Sequence, residues 1–205
     1  YLIKKDYDNA IAHLRLAGVT SDWRFRPDTA AKAEFFLARA LQFKGYNTAA
    51  VSVYERLLKR IDAGINPRDD AEAYFLLSQP EVFHITAGEL LEKVNRFAEA
   101  ARHYDKAIEI DPDNIEFVTR RVNLDIHEKN IPHALTITRE AVINRNADEA
   151  SVKLLKTVCD EAKVKGGVEG ELMRMIESRP MDRFLLFAIA DEMSRRGDNE
   201  AAEKV

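Results

Sequence analysis

Apolar residues in the middle of the chain recur with helical spacing. Phe97, Ala100, Tyr104, Ala107 and Ile108 fall at intervals of three and four residues or adjacent to one another, so they share one face of a helix. The two small residues on that face allow a neighbouring helix to come close. This stretch therefore predicts an amphipathic helix that packs against a partner helix.

Residues on both sides of this stretch mark the ends of a helix pair. Asn95 lies where a preceding helix ends, and asparagine tolerates the left-handed backbone that often terminates helices. Pro112 follows the second helix and stops it, because proline cannot continue the hydrogen-bond ladder. Residues 81–114 therefore predict a helix, a tight turn and a second helix.

The same pattern returns after 34 residues. Counted from residue 81, the next units begin at 115, 149 and 183, and the position of Ala100 then falls on Ala134, Val168 and Ala202. In this register Pro180 matches Pro112, and Gly197 matches Asn95. A fixed period of this length is typical of stacked helix-turn-helix units.

The unit at 81–114 resembles a tetratricopeptide repeat. The family requires small residues at three positions, large residues at four positions and a proline near the end, which here are Gly88, Ala100 and Ala107, then His84, Leu91, Phe97 and Tyr104, and Pro112. Only His84 departs from the expected apolar type. The resemblance implies an all-α fold, a right-handed α-solenoid of stacked antiparallel helix pairs.

The resemblance covers the whole chain as one solenoid, 1–205. Its expected parts are a partial repeat at 1–17, repeats at 31–64, 81–114, 115–148 and 149–182, a helical spacer at 65–80, and a partial repeat at 183–205. Asp125 and Lys156 stand where the family has an apolar and a small residue, so either the first helices there are rotated or their packing is loosened. Because the chain starts and ends within repeats, we expect the native protein to continue in both directions, and the cut ends to allow self-association.

The resemblance also implies a binding surface, because in tetratricopeptide arrays the first helix of each repeat lines the inner, concave face. Carried onto this sequence, the peptide-binding residues are Lys32, Phe35, Arg39, Gln42, Phe43, Ile85, Glu89, Lys93, Arg120, Asn123 and His127, and the same face continues with Thr119, Phe184, Phe187, Asp191 and Arg195. Phe35 and Phe43 are about two helical turns apart beside Arg39, so the three could hold an apolar side chain of an extended peptide. The alternative is that one or both rings only cover the junction with the preceding helix.

Charge and composition limit the partners. The formal net charge is −4, so no strongly basic field attracts nucleic acid, and we expect a protein or peptide partner. No apolar run approaches the length of a membrane span. The single cysteine, Cys159, cannot form an internal disulfide, which fits a reducing compartment and slightly favours the cytoplasm without excluding others.

Motifs for catalysis, metal binding and phosphate binding are missing from the sequence. None of the five histidines forms a His-Glu-x-x-His arrangement, and Gly166-Gly167 lacks the Lys-Ser/Thr that completes a phosphate loop. We therefore predict a non-catalytic protein- or peptide-binding scaffold without metal or cofactor. Two alternatives stay open: a regulatory or assembly arm of a larger multidomain enzyme, and an RNA-binding helical repeat, against which the acidic balance argues.

Overall fold

The chain is helical throughout the residues that the structure describes, which are 5–20, 27–64, 71–198 and 202 of a computed structural model. These residues contain no strand, and their helices are α1 Tyr7–Thr20, α2 Pro27–Phe43, α3 Asn47–Asp62, α4 Ala71–Leu77, α5 Pro80–Lys93, α6 Phe97–Ile110, α7 Ile115–His127, α8 Ile131–Asn144, α9 Glu149–Glu161, α10 Gly167–Ser178 and α11 Arg183–Arg195. The predicted all-α class is confirmed. The helices fall into two compact units, Tyr1–Ile110 and Asp111–Val205, and the single solenoid with its repeat boundaries stays a prediction.

The first unit is built from helices that pack on their neighbours in sequence. Helix α1 packs on α2, α2 on α3, and α5 on α6, while α3 also packs on α5. The segment predicted as a spacer contains the short helix α4, which packs on α2; residues 65–70 lie outside the described residues. Pro80 is the first residue of α5, a position where proline costs no helical hydrogen bond.

The second unit follows the same scheme. Helices α7 and α8, α8 and α9, α9 and α10, and α10 and α11 pack in succession, and α7 also packs on α9. Its core is centred on Leu155, Leu172 and Ile189, which are fully buried. Cys159 belongs to this core, and burial raises the pKa of its thiol to about 11, as suits a packing residue.

Burial repeats with the period of the sequence. The first helix of each 34-residue unit, which is α5, α7, α9 or α11, buries an equivalent residue. These residues are Leu91, Asp125, Cys159 and Met193. On the second helices, the equivalents Ala100, Ala134 and Val168 are also buried. Leu41 and Ala50 occupy the same two positions 50 residues before Leu91 and Ala100, because the segment around α4 adds 16 residues to one period.

Helix ends repeat as well. The turn residues Gly45, Asn95, Lys129, Lys163 and Gly197 all have positive φ, between 51° and 86°. After each of these residues, a backbone N–H returns to a carbonyl five residues earlier, as from Arg96 to Leu91 at 2.9 Å and from Asn130 to Asp125 at 2.7 Å. This bond satisfies a carbonyl that the end of the helix would otherwise leave without a partner.

Three helices of the second unit, α7, α9 and α11, begin with one kind of cap. The side chains of Asn114, Asp148 and Asp182, spaced 34 residues apart, accept backbone N–H bonds from Glu116, Ser151 and Phe184, respectively. These acceptors satisfy donors in the first turns of the three helices. The starts of these helices therefore repeat with the 34-residue period of the sequence.

Asp125 is accommodated without rotation of α7. Helix α7 buries Phe117, Arg121, Val122, Leu124 and Asp125, which match five of the six buried positions of α5. Asp125 is only 2% exposed, and its carboxylate lies 2.6 Å from Nη1 of Arg121 and 2.7 Å from Nδ1 of His133. An ionic cluster therefore replaces the apolar contact that the family pattern requires.

Lys156 is accommodated differently. Helix α9 buries Leu154 and Leu155 but leaves Lys156 exposed. The ammonium of Lys156 lies 3.3 Å from the carboxylate of Glu192 on α11. The two departures from the family pattern thus differ, since Asp125 is buried with a charged partner and Lys156 is exposed with one.

Gly88 marks the closest approach between α5 and α6. A Cβ atom at this residue would lie 2.4 Å from Cε1 of Tyr104, well inside contact distance. The Tyr104 ring is buried, and its hydroxyl donates a 2.6 Å hydrogen bond to Glu92. Only glycine fits between these helices as they are packed.

Candidate functional site

Arg39 lies between two aromatic rings on α2. Its guanidinium carbon is 5.9 Å from the ring centroid of Phe35 and 5.2 Å from that of Phe43. The three residues are spaced by four, so their side chains follow one another along a single face of the helix. Arg39 is exposed, Phe43 is 55% exposed, and Phe35 is half-buried.

Neighbouring helices fix both rings. Phe43 stacks on Tyr7 of α1 with centroids 5.1 Å apart, and Phe35 packs on Phe83 of α5 with centroids 5.7 Å apart. The Phe43 ring therefore covers a contact with the preceding helix α1, and the Phe35 ring covers a contact with the later helix α5. Phe43 nevertheless keeps more than half of its surface in solvent, so the row Phe35, Arg39 and Phe43, which we call the α2 row, remains open to a partner.

The other two α2 residues predicted for the site already have partners. Lys32 makes a 2.6 Å ion pair with Glu72 of α4, and Gln42 accepts a 3.2 Å hydrogen bond from the Tyr54 hydroxyl. Burial raises the pKa of Tyr54 to about 12, so its hydroxyl stays protonated and available as a donor. Lys32 and Gln42 hold α2 to its neighbours.

The residues predicted on α5 divide by exposure. Ile85 is 8% exposed and belongs to the core, so little of its side chain is left for a ligand. Glu89 is half-buried and Lys93 is exposed, one helical turn further along α5. The prediction of Ile85 as a ligand contact used only its position along the helix. That position does not show how much of the α5 surface is covered by α3 and α6.

In the second unit, Arg120, Asn123 and His127 lie on α7. Arg120 forms a 3.1 Å ion pair with Glu116, and Nδ1 of His127 is 3.4 Å from the carboxylate of Glu128. Asn123 is exposed. Both acidic partners lie on α7 or directly after it. These contacts therefore do not connect Arg120, Asn123 and His127 to one another.

A groove of about 380 Å³ lies between α9 and α11. Val152 and Ala188 form its apolar floor, and Phe187, which is 77% exposed, stands at its side. The sequence predicted the exposed face of α11, including Phe187, but not the contribution of Val152 and Lys153 from α9. That contribution depends on how α9 packs beside α11, which the sequence pattern leaves open.

Comparison with protein families agrees with this architecture. The family model described as Tetratricopeptide repeat matches residues 82–114, the helix pair that contains Gly88 and Tyr104. The chain therefore contains a tetratricopeptide repeat at these residues. No curated protein matches the sequence at a significant level.

Solved structures share the helical fold of this chain. A tetratricopeptide repeat protein from Parabacteroides merdae matches with a TM-score of 0.56 and 16% identity, over 100% of this chain and 72% of that one. MamA from Desulfovibrio magneticus matches at 14% identity with a TM-score of 0.48, over 85% of this chain and 89% of that one. BtubC from P. vanneervenii matches at 13% identity with a TM-score of 0.47, over 97% and 84%. The match to the P. merdae protein supports the all-α repeat solenoid as the fold class.

Two further observations concern the described residues. Among them, no group of three or more His, Cys, Asp or Glu side chains is arranged to hold a metal ion. Within the same ranges, none of the helices combines the length and apolar character needed to cross a bilayer. The described surface exposes aromatic side chains, as at Phe43 and Phe187, and charged ones, as at Arg39.

Proposed function

We propose that this tetratricopeptide-repeat protein is a non-catalytic scaffold that binds a segment of another protein through the α2 row. The observation that carries the proposal is the placement of the exposed Arg39 between the rings of Phe35 and Phe43. Aromatic residues and arginine dominate the energetics of protein interfaces. The α2 row presents both chemistries on one helix face.

Rigidity supports the same proposal. Tyr7 and Phe83 hold the two rings from neighbouring helices, so a partner meets side chains that are already ordered. Ordering a flexible side chain costs roughly 0.5–1.5 kcal/mol on binding, and a surface that is ordered beforehand avoids much of that cost. Lys32 and Gln42 contribute by fixing α2 to α4 and α3.

The test is a quantitative pull-down from native lysate with three forms of the protein. The first is the parent, the second carries Arg39→Ala and Phe43→Ala, and the third is a matched control with Phe75→Ala and Arg102→Ala, both exposed residues outside the row. Circular dichroism checks that all three keep their helix content. Identified partners are then purified and their affinities for the three forms measured by calorimetry.

We expect at least one partner to bind the parent and the control but to lose about tenfold or more in affinity for the α2-row variant, because such residues commonly contribute 1–2 kcal/mol or more each. Partners that bind all three forms equally well would show that the α2 row is not the binding surface. The groove between α9 and α11 would then be the next surface to test with these partners.

A further inference from the structure

Arg39 is an exposed cation of the α2 row. Among the described residues, no carboxylate forms an ion pair with Arg39, whereas Lys32 on the same helix pairs with Glu72. The carboxylate of Glu34, also on α2, lies 3.4 Å from Arg56 and 2.8 Å from Arg60. The α2 row therefore presents a positive charge to solvent.

The aromatic contacts of Arg39 leave its N–H groups available to a ligand. Its guanidinium lies over the rings of Phe35 and Phe43, so the aromatic contacts use its faces while its N–H groups remain as donors. A guanidinium donates two parallel hydrogen bonds to a carboxylate, and such charge-assisted bonds are among the strongest that side chains make. Because neighbouring helices anchor the rings, the donor group is positioned before the ligand arrives.

We infer that Arg39 binds the side-chain carboxylate of an aspartate or glutamate in an extended segment of the partner protein. An apolar residue next to that acid lies on the open part of the Phe43 ring, which is 55% exposed. Phosphate groups carry nearly two charges and are usually held by several cations, whereas the α2 row offers one. This assignment rests on the protein-binding function proposed above and adds the chemistry of the ligand.

The experiment is a selection from a display library of random dodecapeptides. Three immobilised proteins are compared: the parent, Arg39→Gln, and Arg102→Gln, a control that removes another exposed arginine of the first unit. We expect the peptides enriched by the parent and by the control to contain an excess of Asp or Glu beside an apolar residue. Arg39→Gln should lose that excess, since glutamine keeps polarity but has no charge.

Synthetic peptides from the enriched set then identify the group that is recognised. Replacement of the selected Glu by Gln should weaken binding to the parent about tenfold or more, because a charge-assisted bond becomes a neutral one, and should have little effect on the weaker binding to Arg39→Gln. Phosphoserine at the same position should bind no more tightly than Glu. Tighter binding of the phosphopeptide would overturn the carboxylate assignment.

The two proposals fail in different ways. Enriched peptides without an acidic excess, or with the same excess on Arg39→Gln, would overturn the carboxylate assignment and leave the α2 row as a binding surface. A fourth immobilised protein, Phe43→Ala, then tests that surface, and loss of all enrichment on it would support the α2 row. Absence of any enriched peptide on the parent protein would overturn both the assignment and the peptide-binding function on which it rests.

Discussion

His84 and His103 meet across the interface of α5 and α6 with their Nδ1 atoms 3.0 Å apart. At this distance one ring donates a proton and the other accepts it, so the contact requires at least one neutral imidazole. Burial, together with His103, lowers the pKa of His84 to about 4, and burial also lowers the pKa of His103. The pair fills the position at which the family pattern has a large apolar residue.

This pair predicts a loss of stability in mild acid. The pKa of His84 is about 4 in the folded protein and about 6.5 in the unfolded chain, so its contribution is complete above pH 6.5 and is lost as the pH falls towards 4. Asp62 and Glu109 act in the opposite direction on His84, as Glu55 and Glu99 do on His103, but burial outweighs them. Urea denaturation at pH 7.5, 6.0 and 5.0 should show a falling free energy of unfolding.

The histidine prediction has a matched control. His84→Leu should flatten the pH dependence between 7.5 and 5.0, whereas His127→Leu, at an exposed position, should leave it as in the parent. Equal slopes for His84→Leu and the parent would show that this pair does not set the acid sensitivity.

Gly88→Ala should destabilise the protein although alanine favours helices. The added Cβ would meet Cε1 of the buried Tyr104 at 2.4 Å, and overpacking of this kind costs about 1–3 kcal/mol. The gain in helix propensity, at most about 1 kcal/mol, offsets only part of this cost. A double-mutant cycle with Tyr104→Leu, measured by urea denaturation, isolates the clash: the Gly88→Ala cost should shrink in that background, and an unchanged cost would place the strain elsewhere.

Asp125→Ala should be among the most damaging substitutions in the second unit. It would leave Arg121, which is 7% exposed, as a buried charge without its carboxylate, and such a break costs roughly 3–5 kcal/mol. Replacing both residues, as Arg121→Met with Asp125→Leu, should restore most of the stability because no buried charge remains. If the double variant were as unstable as the single one, the cluster would be serving a purpose other than neutralising Arg121.

Lys163→Gly should stabilise the protein slightly. Lys163 has a φ of 51°, a conformation that costs a non-glycine residue about 1–2 kcal/mol, while glycine adds up to about 1 kcal/mol of backbone entropy cost. We expect a net gain of a few tenths to about 1 kcal/mol in thermal or urea unfolding. Lys153→Gly, in the middle of α9, is the control and should cost about 1 kcal/mol; the same sign for both would show that φ at residue 163 does not decide the outcome.

The sequence predicted the features that depend on spacing. The 34-residue register follows from residues such as Ala100 and Pro112, and the structure buries the equivalents of Ala100 in the copies at 134 and 168. The interval of four between Phe35, Arg39 and Phe43 placed them on one face, and the two rings do flank the guanidinium. Their role in binding stays a prediction.

The sequence did not predict features that depend on distant contacts. Asp125 interrupts the apolar pattern, and nothing in that pattern reveals that His133 and Arg121 surround it. The burial of Ile85 and the exposure of Lys156 likewise depend on how neighbouring helices cover a surface. The sequence pattern shows which residue types recur, but not which charged side chains form ion pairs.

The caps at Asn114, Asp148 and Asp182 also bear on how such a chain can change its length over evolutionary time. A deletion that removed residues 115–148 would join Asn114 directly to Glu149, so α9 would begin after an asparagine in place of the aspartate that now caps it. Asparagine and aspartate cap helices about equally well. At each of these boundaries a whole 34-residue repeat can therefore be gained or lost without leaving a helix uncapped. Recombination between copies at these boundaries would exchange one good N-cap residue for another.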